Sequence, residues 1–255
     1  MDLVSIITPT YNCARFIEET IRSVQSQTYQ NWEMIISDDC STDNTREIIA
    51  PYLESDSRIK YICNDKNSGA AITRNNALRQ AKGRWIAFLD SDDLWLPEKL
   101  EKQIAFMETN GYAFSYHEYA EIDEASQPLG IVVSGPKSIS KMGMYAYCWP
   151  GCLTVMYDAN VVGLVQIADI KKNNDYAMWL KAIHKSNCHL LSELLAKYRR
   201  GRTGSISTHS YSALIKWHYK LFREAEQRNA IASCILTAGN MFCGVAKKIL
   251  YISKK

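Results

Sequence analysis

Residues 83–100 read GRWIAFLDSDDLWLPEKL. Trp85 to Leu89 is a short apolar run of the kind that forms a strand buried on both faces. It stops at Asp90-Ser91-Asp92-Asp93, and Pro97 then opens a predicted helix through Met107, proline being favoured in a first turn. Crowding Asp90, Asp92 and Asp93 together costs repulsion unless something compensates. A divalent cation does so: hard oxygen ligands suit Mg2+ or Mn2+, and an ion held by one or two carboxylates keeps positions open for a substrate's phosphates. The same residues also read as a solvated acidic turn, with Asp90 or Asp93 capping the next helix.

The pattern repeats on either side of this stretch. Upstream, Val4 to Ile7 is a strand ending at Thr8-Pro9-Thr10, and Phe16, Ile17, Ile21 and Val24 have helical spacing within Ala14 to Gln27. Trp32 to Ser37 is a second strand, ending at Asp38-Asp39. Ser41-Thr42-Asp43 can cap the helix that carries Ile48, Ile49 and Leu53. Ile59 to Cys63 is a third strand, and Ala70 to Lys82 a helix stopped by Gly83. Downstream, Tyr112 to Tyr119, Cys152 to Tyr157 and His189 to Tyr198 read as strands, and Tyr176 to His184 as a helix. Glu121 to Gly143 is the least regular part, a loop or hairpin excursion. Strand–helix alternation predicts an α/β fold: a Rossmann-like, mostly parallel sheet flanked by helices. Ligands of such sheets bind outside the carboxyl ends of the strands. Thr8, Tyr11 and Asn12, the Asp38-Asp39 pair and the 90–93 carboxylates should therefore meet at one edge.

Bulk properties narrow the field. A chain of 255 residues, 47% of them hydrophobic, can bury one sizeable core, with or without an appendage. A net charge of +3, with basic residues mixed among acidic ones, argues against a nucleic-acid protein. The cysteines are scattered without a C-x-x-C pair, and Cys148 and Cys152 lack the second pair a zinc site needs. MDLVSIITPTYN has no basic segment leading into a long apolar stretch, so the sequence predicts no secretory signal and a cytoplasmic protein with reduced thiols. His117, His184, His189, His209 and His218 match no ligand spacing and read as structural or surface residues.

Four segments in order, VSIITPTYN from Val4, ISDDCSTDNT from Ile36, NSGAAITRNNAL from Asn67 and GRWIAFLDSDDLWLPEKL from Gly83, resemble the family-2 glycosyltransferases of GT-A fold. The likeness covers roughly residues 3 to 205. It implies an inverting, metal-dependent hexosyltransferase of the bacterial polysaccharide or lipopolysaccharide type, with a nucleotide-sugar donor, UDP preferred, and a glycan or lipid-linked acceptor. Residue by residue, it implies that Tyr11 stacks on the base, with Thr8 and Pro9 lining that pocket. Asp39 would accept a hydrogen bond from base or ribose, Arg74 would face the nucleotide, Asp90 would approach the ribose, and Asp92 would hold Mn2+ or Mg2+ on the diphosphate. The required chemistry agrees in kind, since a base offers a π-face and a diphosphate calls for positive charge. Asp38 reads instead as a structural hydrogen-bonding residue at its strand end.

NNDYAMWLKA, from Asn173, resembles the family's acidic-aromatic helix start and implies that Asp175 is the catalytic base. The family usually places Glu before this Asp; here Asn174 stands there. YRRGRTGSIS, from Tyr198, resembles a late family loop but lacks its histidine; Arg199 or Arg202 could contact the diphosphate, and Trp149 and Cys152 could line the acceptor pocket. These readings divide the chain into a glycosyltransferase domain, 1–208, and a helical tail, 209–255. Residues 1–120 form the nucleotide-sugar half of that domain and 121–208 the acceptor half. In the tail, Leu214, Trp217, Leu221 and Phe222 make an apolar face. The run Ile231 to Val245, followed by Lys247-Lys248 and Lys254-Lys255, reads either as a packed helix or as one lying on the inner membrane surface. Two other classes remain open. A sugar nucleotidyltransferase should show a Gly-rich loop with Arg and Lys after strand one, where this chain has TPTYNCARF. A non-catalytic sugar-nucleotide binder would bind without turnover.

Overall fold

The computed structural model describes residues 1–201 and 211–254. The first half is a run of strand–helix units: β1 (Val4–Thr10), α1 (Ile17–Gln25), β2 (Trp32–Asp38), α2 (Thr45–Ser55), β3 (Ile59–Cys63), α3 (Ala70–Gln80) and β4 (Trp85–Phe88). A two-residue strand β5 (Leu94–Trp95) precedes α4 (Lys99–Asn110) and β6 (Phe114–Ile122). The excursion holds β7 (Pro128–Val133), β8 (Ser138–Ile139) and the start of α5 (Lys141–Ala146). Then come β9 (Met156–Asp158), α6 (Ala159–Val162), α7 (Asn174–Ala182), β10 (Cys188–Arg199), α8 (Tyr211–Lys220), α9 (Ala230–Leu250) and β11 (Ile252–Lys254).

The sheet order is β11-β7-β6-β9-β4-β1-β2-β3, with β10 pairing β6, β5 and β8. The four strands from β3 to β4 are mutually parallel, as right-handed strand–helix–strand units require. Beyond β4 the sheet is mixed. β9 inserts antiparallel between β4 and β6, whereas β10 runs parallel to β6. Along β1, Val4 and Ile6 face one core and Ile7 the other, the two-residue alternation of a doubly covered strand. On Ile7's side Trp179 of α7 packs edge-on against Phe88 of β4, with ring centroids 5.1 Å apart.

Several local expectations need correction. β1 continues through Thr8, Pro9 and Thr10, which pair with Ile36, Ser37 and Asp38 of β2. Cys152–Thr154 is a 3-10 turn rather than the start of a strand, and β9 begins at Met156. Neither Asp90 nor Asp93 caps the helix after the acidic turn, because β5 intervenes and α4 begins at Lys99. The tail returns to the sheet: Ile252 and Lys254 of β11 pair with Val133 and Ile131 of β7.

Candidate active site

A cavity of about 720 Å³ opens at the carboxyl ends of β1, β2 and β4, a size suited to a small-molecule ligand. Its first wall comes from the loop after β1. Asn12 adopts a positive φ of 46° and is tied down by the 41–43 segment: its amide N–H donates to Ser41 Oγ (2.9 Å) and its side-chain oxygen accepts from the Thr42 N–H (2.8 Å). Asp43 accepts from Ala14 N–H at 3.1 Å and from Thr45 N–H at 3.1 Å. The Ser-Thr-Asp run thus joins two loops; the N-cap of α2 is Asn44, outside that run, and carries no side-chain cap bond. The run holds Tyr11 at the cavity, the residue 43% exposed and so open to a ligand.

The second wall follows β2. Asp38 is structural, as its sequence context suggested: Tyr61 Oη donates to one carboxylate oxygen at 2.7 Å and Ser41 N–H to the other at 2.9 Å. Asp39 lines the cavity, yet its carboxylate is largely engaged by the protein. It accepts from Asn64 Nδ2 (2.8 Å), Ser68 N–H (2.7 Å) and Gly69 N–H (2.8 Å). Gly69, at φ 87°, takes a backbone shape that disfavours other residues. Asp39 therefore shapes the 64–69 loop in front of α3.

Arg74 joins the two halves of the site. Its guanidinium is 7% exposed, bonds Asp90 at 2.5 Å, and also donates to the side-chain oxygen of Asn174 at the start of α7. This is a buried cross-link rather than a surface ion pair. Beside it, Asp92 and Asp93 both line the cavity; Asp93 is 1% exposed and accepts the Arg199 N–H at 2.8 Å. Burial, and then the neighbouring Asp92 and Asp90, hold the Asp93 carboxyl well above the usual carboxylate range.

Asp175 stands on the opposite wall in the first turn of α7, with the Tyr176 N–H donating to it at 2.8 Å. Burial raises its carboxyl above the ordinary value, Arg74 and the Tyr176 amide partly offset this, and Asp90 adds to it. A carboxylate poised in this way is suited to accept a proton.

The cavity brings Pro9, Tyr11, Asp39, Arg74, Asp90, Asp92 and Asp175 together. Three expected contacts fall elsewhere. Thr8 is fully buried within the sheet, because β1 runs on past it. Arg199 is fully buried in a structural hub: it donates to the backbone oxygens of Asp92 (2.8 Å) and Asp123 (3.1 Å) and pairs with Glu19 at 3.0 Å. Trp149 lies off the lining; its ring N–H donates to Gly143 O at 3.0 Å and its ring meets Tyr251 edge-on. Arg202 and His209 lie outside the described residues.

Other lining residues went unnoticed in the sequence. Tyr119, Cys148 and Lys172 lie in none of the matched segments, and Thr10 and Tyr198 lie in them without having been singled out. Lys247, grouped by sequence with the lysines facing headgroups, instead lines the cavity at 9% exposure, with its ammonium donating to Trp149 O at 2.7 Å. Its inward spacing from Asn240 was the available signal.

A doubly wound sheet with a carboxylate-lined cavity at its strand ends, closed by an acid on a later helix, is the layout the four sequence segments led us to expect of a nucleotide-sugar transferase. The profile of glycosyl transferase family 2 matches residues 5–134, and the chain belongs to that family. It is 44% identical over 216 residues to the UDP-Glc:alpha-D-GlcNAc-diphosphoundecaprenol beta-1,3-glucosyltransferase WfaP of Escherichia coli, covering 85% of this chain and 84% of that protein. The fold is GT-A. The crystal structure of S. aureus TarS 1-349 in complex with UDP-GlcNAc superposes with a TM-score of 0.71 at 21% identity, over 94% of this chain and 72% of that one. The mannosyltransferase PcManGT of Pyrobaculum calidifontis, in complex with GDP-Man and Mn2+, gives a TM-score of 0.66 at 15% identity, over 96% and 75%.

Proposed function

We propose that this glycosyltransferase moves a hexose, glucose foremost, from a UDP-sugar to a hydroxyl of a lipid-linked diphosphate acceptor in cell-surface polysaccharide synthesis, with inversion. The observation that carries the reading is the Asp90–Arg74–Asn174 cross-link, which holds the donor-side carboxylates and Asp175 in one cavity. The E. coli relative's donor and acceptor support the substrate class.

In this reading Tyr11 stacks on the uracil and Asp90 faces the ribose. Asp175 takes the proton of the acceptor hydroxyl as its oxygen bonds to the anomeric carbon. The bond from that carbon to the diphosphate breaks, and its electron pair leaves with UDP. Attack opposite the leaving group inverts the centre. The carboxylates fit Mg2+ or Mn2+: the donor set is all oxygen, and Asp92 lines the cavity beside two further acids. Among the described residues no three acidic, His or Cys side chains form a ligand group, so Asp92 and the donor's phosphates would share the ion. When bound, the ion would supply positive charge for the departing diphosphate. This reading sets the chemistry at the cytoplasmic face of the membrane, a reducing setting that suits a chain with eight scattered cysteines.

The test pairs two measurements. Thermal melts with UDP, GDP, dTDP and CDP, with and without Mn2+, should show UDP raising Tm in the wild type and in Asp175→Asn, and Asp92→Ala losing the Mn2+-dependent part. Radiolabelled glucose should pass from UDP-glucose to a short-chain GlcNAc-diphospholipid, and Asp175→Asn should cut that rate by at least about 100-fold. Transfer by Asp175→Asn at wild-type rate removes the base assignment. Stabilisation by a different nucleotide removes UDP.

A further inference from the structure

Helix α9 is amphipathic the wrong way round for a helix in water. Its inward stripe is polar: Ser233, Thr237, Asn240 and Lys247 are the buried positions, spaced four, three and seven apart. Asn240 donates to Tyr145 O and to Tyr176 Oη, both at 3.0 Å, and Lys247 reaches Trp149 O. Gly244 lies so close to Tyr147 that a Cβ there would stand 3.0 Å from its ring. These contacts fix the rotation of the helix. The opposite stripe is apolar and bare: Ile231 is 76% exposed, Ile235 66%, Phe242 76%, Val245 56% and Ile249 75%. An ordinary surface helix buries its apolar stripe and shows the polar one.

We propose that the outer face of α9 is a docking surface for an anionic phospholipid bilayer, with the helix lying flat in the interface. The inference rests on the lipid-linked acceptor of the preceding section, since such an acceptor must enter the cavity from a membrane. Three observations favour this occupant. Ala230–Leu250 contains no Asp or Glu, and Lys248, Lys254 and Lys141 are exposed close by, a charge pattern complementary to anionic headgroups. Met142, on the α5 helix that packs against α9, is a further large apolar side chain left 81% exposed. The same helix reaches the cavity through Lys247, so the docking face and the acceptor wall are one element. A second copy of the chain, by contrast, would set two acid-free, lysine-bearing helices against each other. Spanning the bilayer is disfavoured as well, because it would pull Asn240 and Lys247 out of their protein contacts into hydrocarbon.

The experiment uses the full chain, co-sedimented with phosphatidylcholine vesicles and with phosphatidylcholine–phosphatidylglycerol vesicles, alongside sedimentation velocity without lipid. The wild type should pellet with the anionic vesicles and bind them less at high salt. The double substitution Ile235→Glu with Phe242→Glu, at two exposed positions, should weaken vesicle binding at least about tenfold while keeping its UDP-induced rise in Tm. Wild type that stays in the supernatant with both vesicle types overturns the proposal. So does a wild-type dimer that the double substitution splits without any vesicle binding. Vesicle binding in a protein that UDP does not stabilise would sink the donor reading and leave the docking face standing.

Discussion

Asp175 meets two opposed demands. In its proposed role it must lose its proton to act as a base, and its surroundings resist that charge. Burial raises its carboxyl, with Arg74 as the main opposing influence. Activity should therefore rise with pH across a limb that lies above the ordinary carboxylate range. Replacing Arg74 with Gln removes the offsetting charge, so the limb should move to higher pH in a kcat/KM profile; an unmoved limb would detach Arg74 from the base. The stability sign runs the other way. A raised folded-state value means Asp175 stabilises the native protein while protonated, and that contribution is lost as pH rises through the folded value. Asp175→Asn should accordingly melt higher than the wild type at neutral pH while failing to transfer sugar, a trade-off common at functional sites.

At the scale of elements, the acidic turn after β4 depends on Arg199 at the end of β10. Its guanidinium donates to the Asp92 carbonyl in that turn and to the Asp123 and Glu124 carbonyls just after β6, and its backbone N–H binds Asp93. Arg199→Ala would keep the backbone N–H to Asp93 but leave the part-buried carbonyls of Asp92, Asp123 and Glu124 without their guanidinium donor. A loss of about 3 kcal/mol follows, seen as a fall in Tm of about 6–12 °C. The parallel strands and the acidic turn were legible in the sequence because each apolar run ends abruptly at polar residues. What Arg199 does was not, since a basic residue beside Arg200 and Arg202 looks the same whether it faces a phosphate or closes a turn. Thr8 misled for a related reason: a threonine at the end of an apolar run fits a buried strand as well as a loop. The tail was half legible. Its apolar run showed plainly, but only the fold reveals that the polar residues are the buried ones.

At the scale of the molecule, acid sensitivity should trace partly to the interior of the sheet. His117 on β6 is 1% exposed; burial, and then nearby Lys99, push its imidazole down to about 3 from 6.5. Between those values the unfolded chain binds a proton that the native one refuses, so stability falls as pH falls, by up to about 1.4 kcal/mol per unit. Urea melts from neutral pH to pH about 4 should show His117→Gln losing less stability than the wild type. The sheet also has a history in time. The parallel half joins residues 4–7 to 85–88, whereas β11 joins 252–254 to 131–133. Since translation delivers the chain from its N-terminus, a ribosome has exposed every strand of the nucleotide side long before it releases Lys247. The Lys247 wall, which the proposed reaction gives to the acceptor, is the last part of the cavity to be made, so on that reading a nascent chain gains the shape that holds a donor before the shape that could spend it.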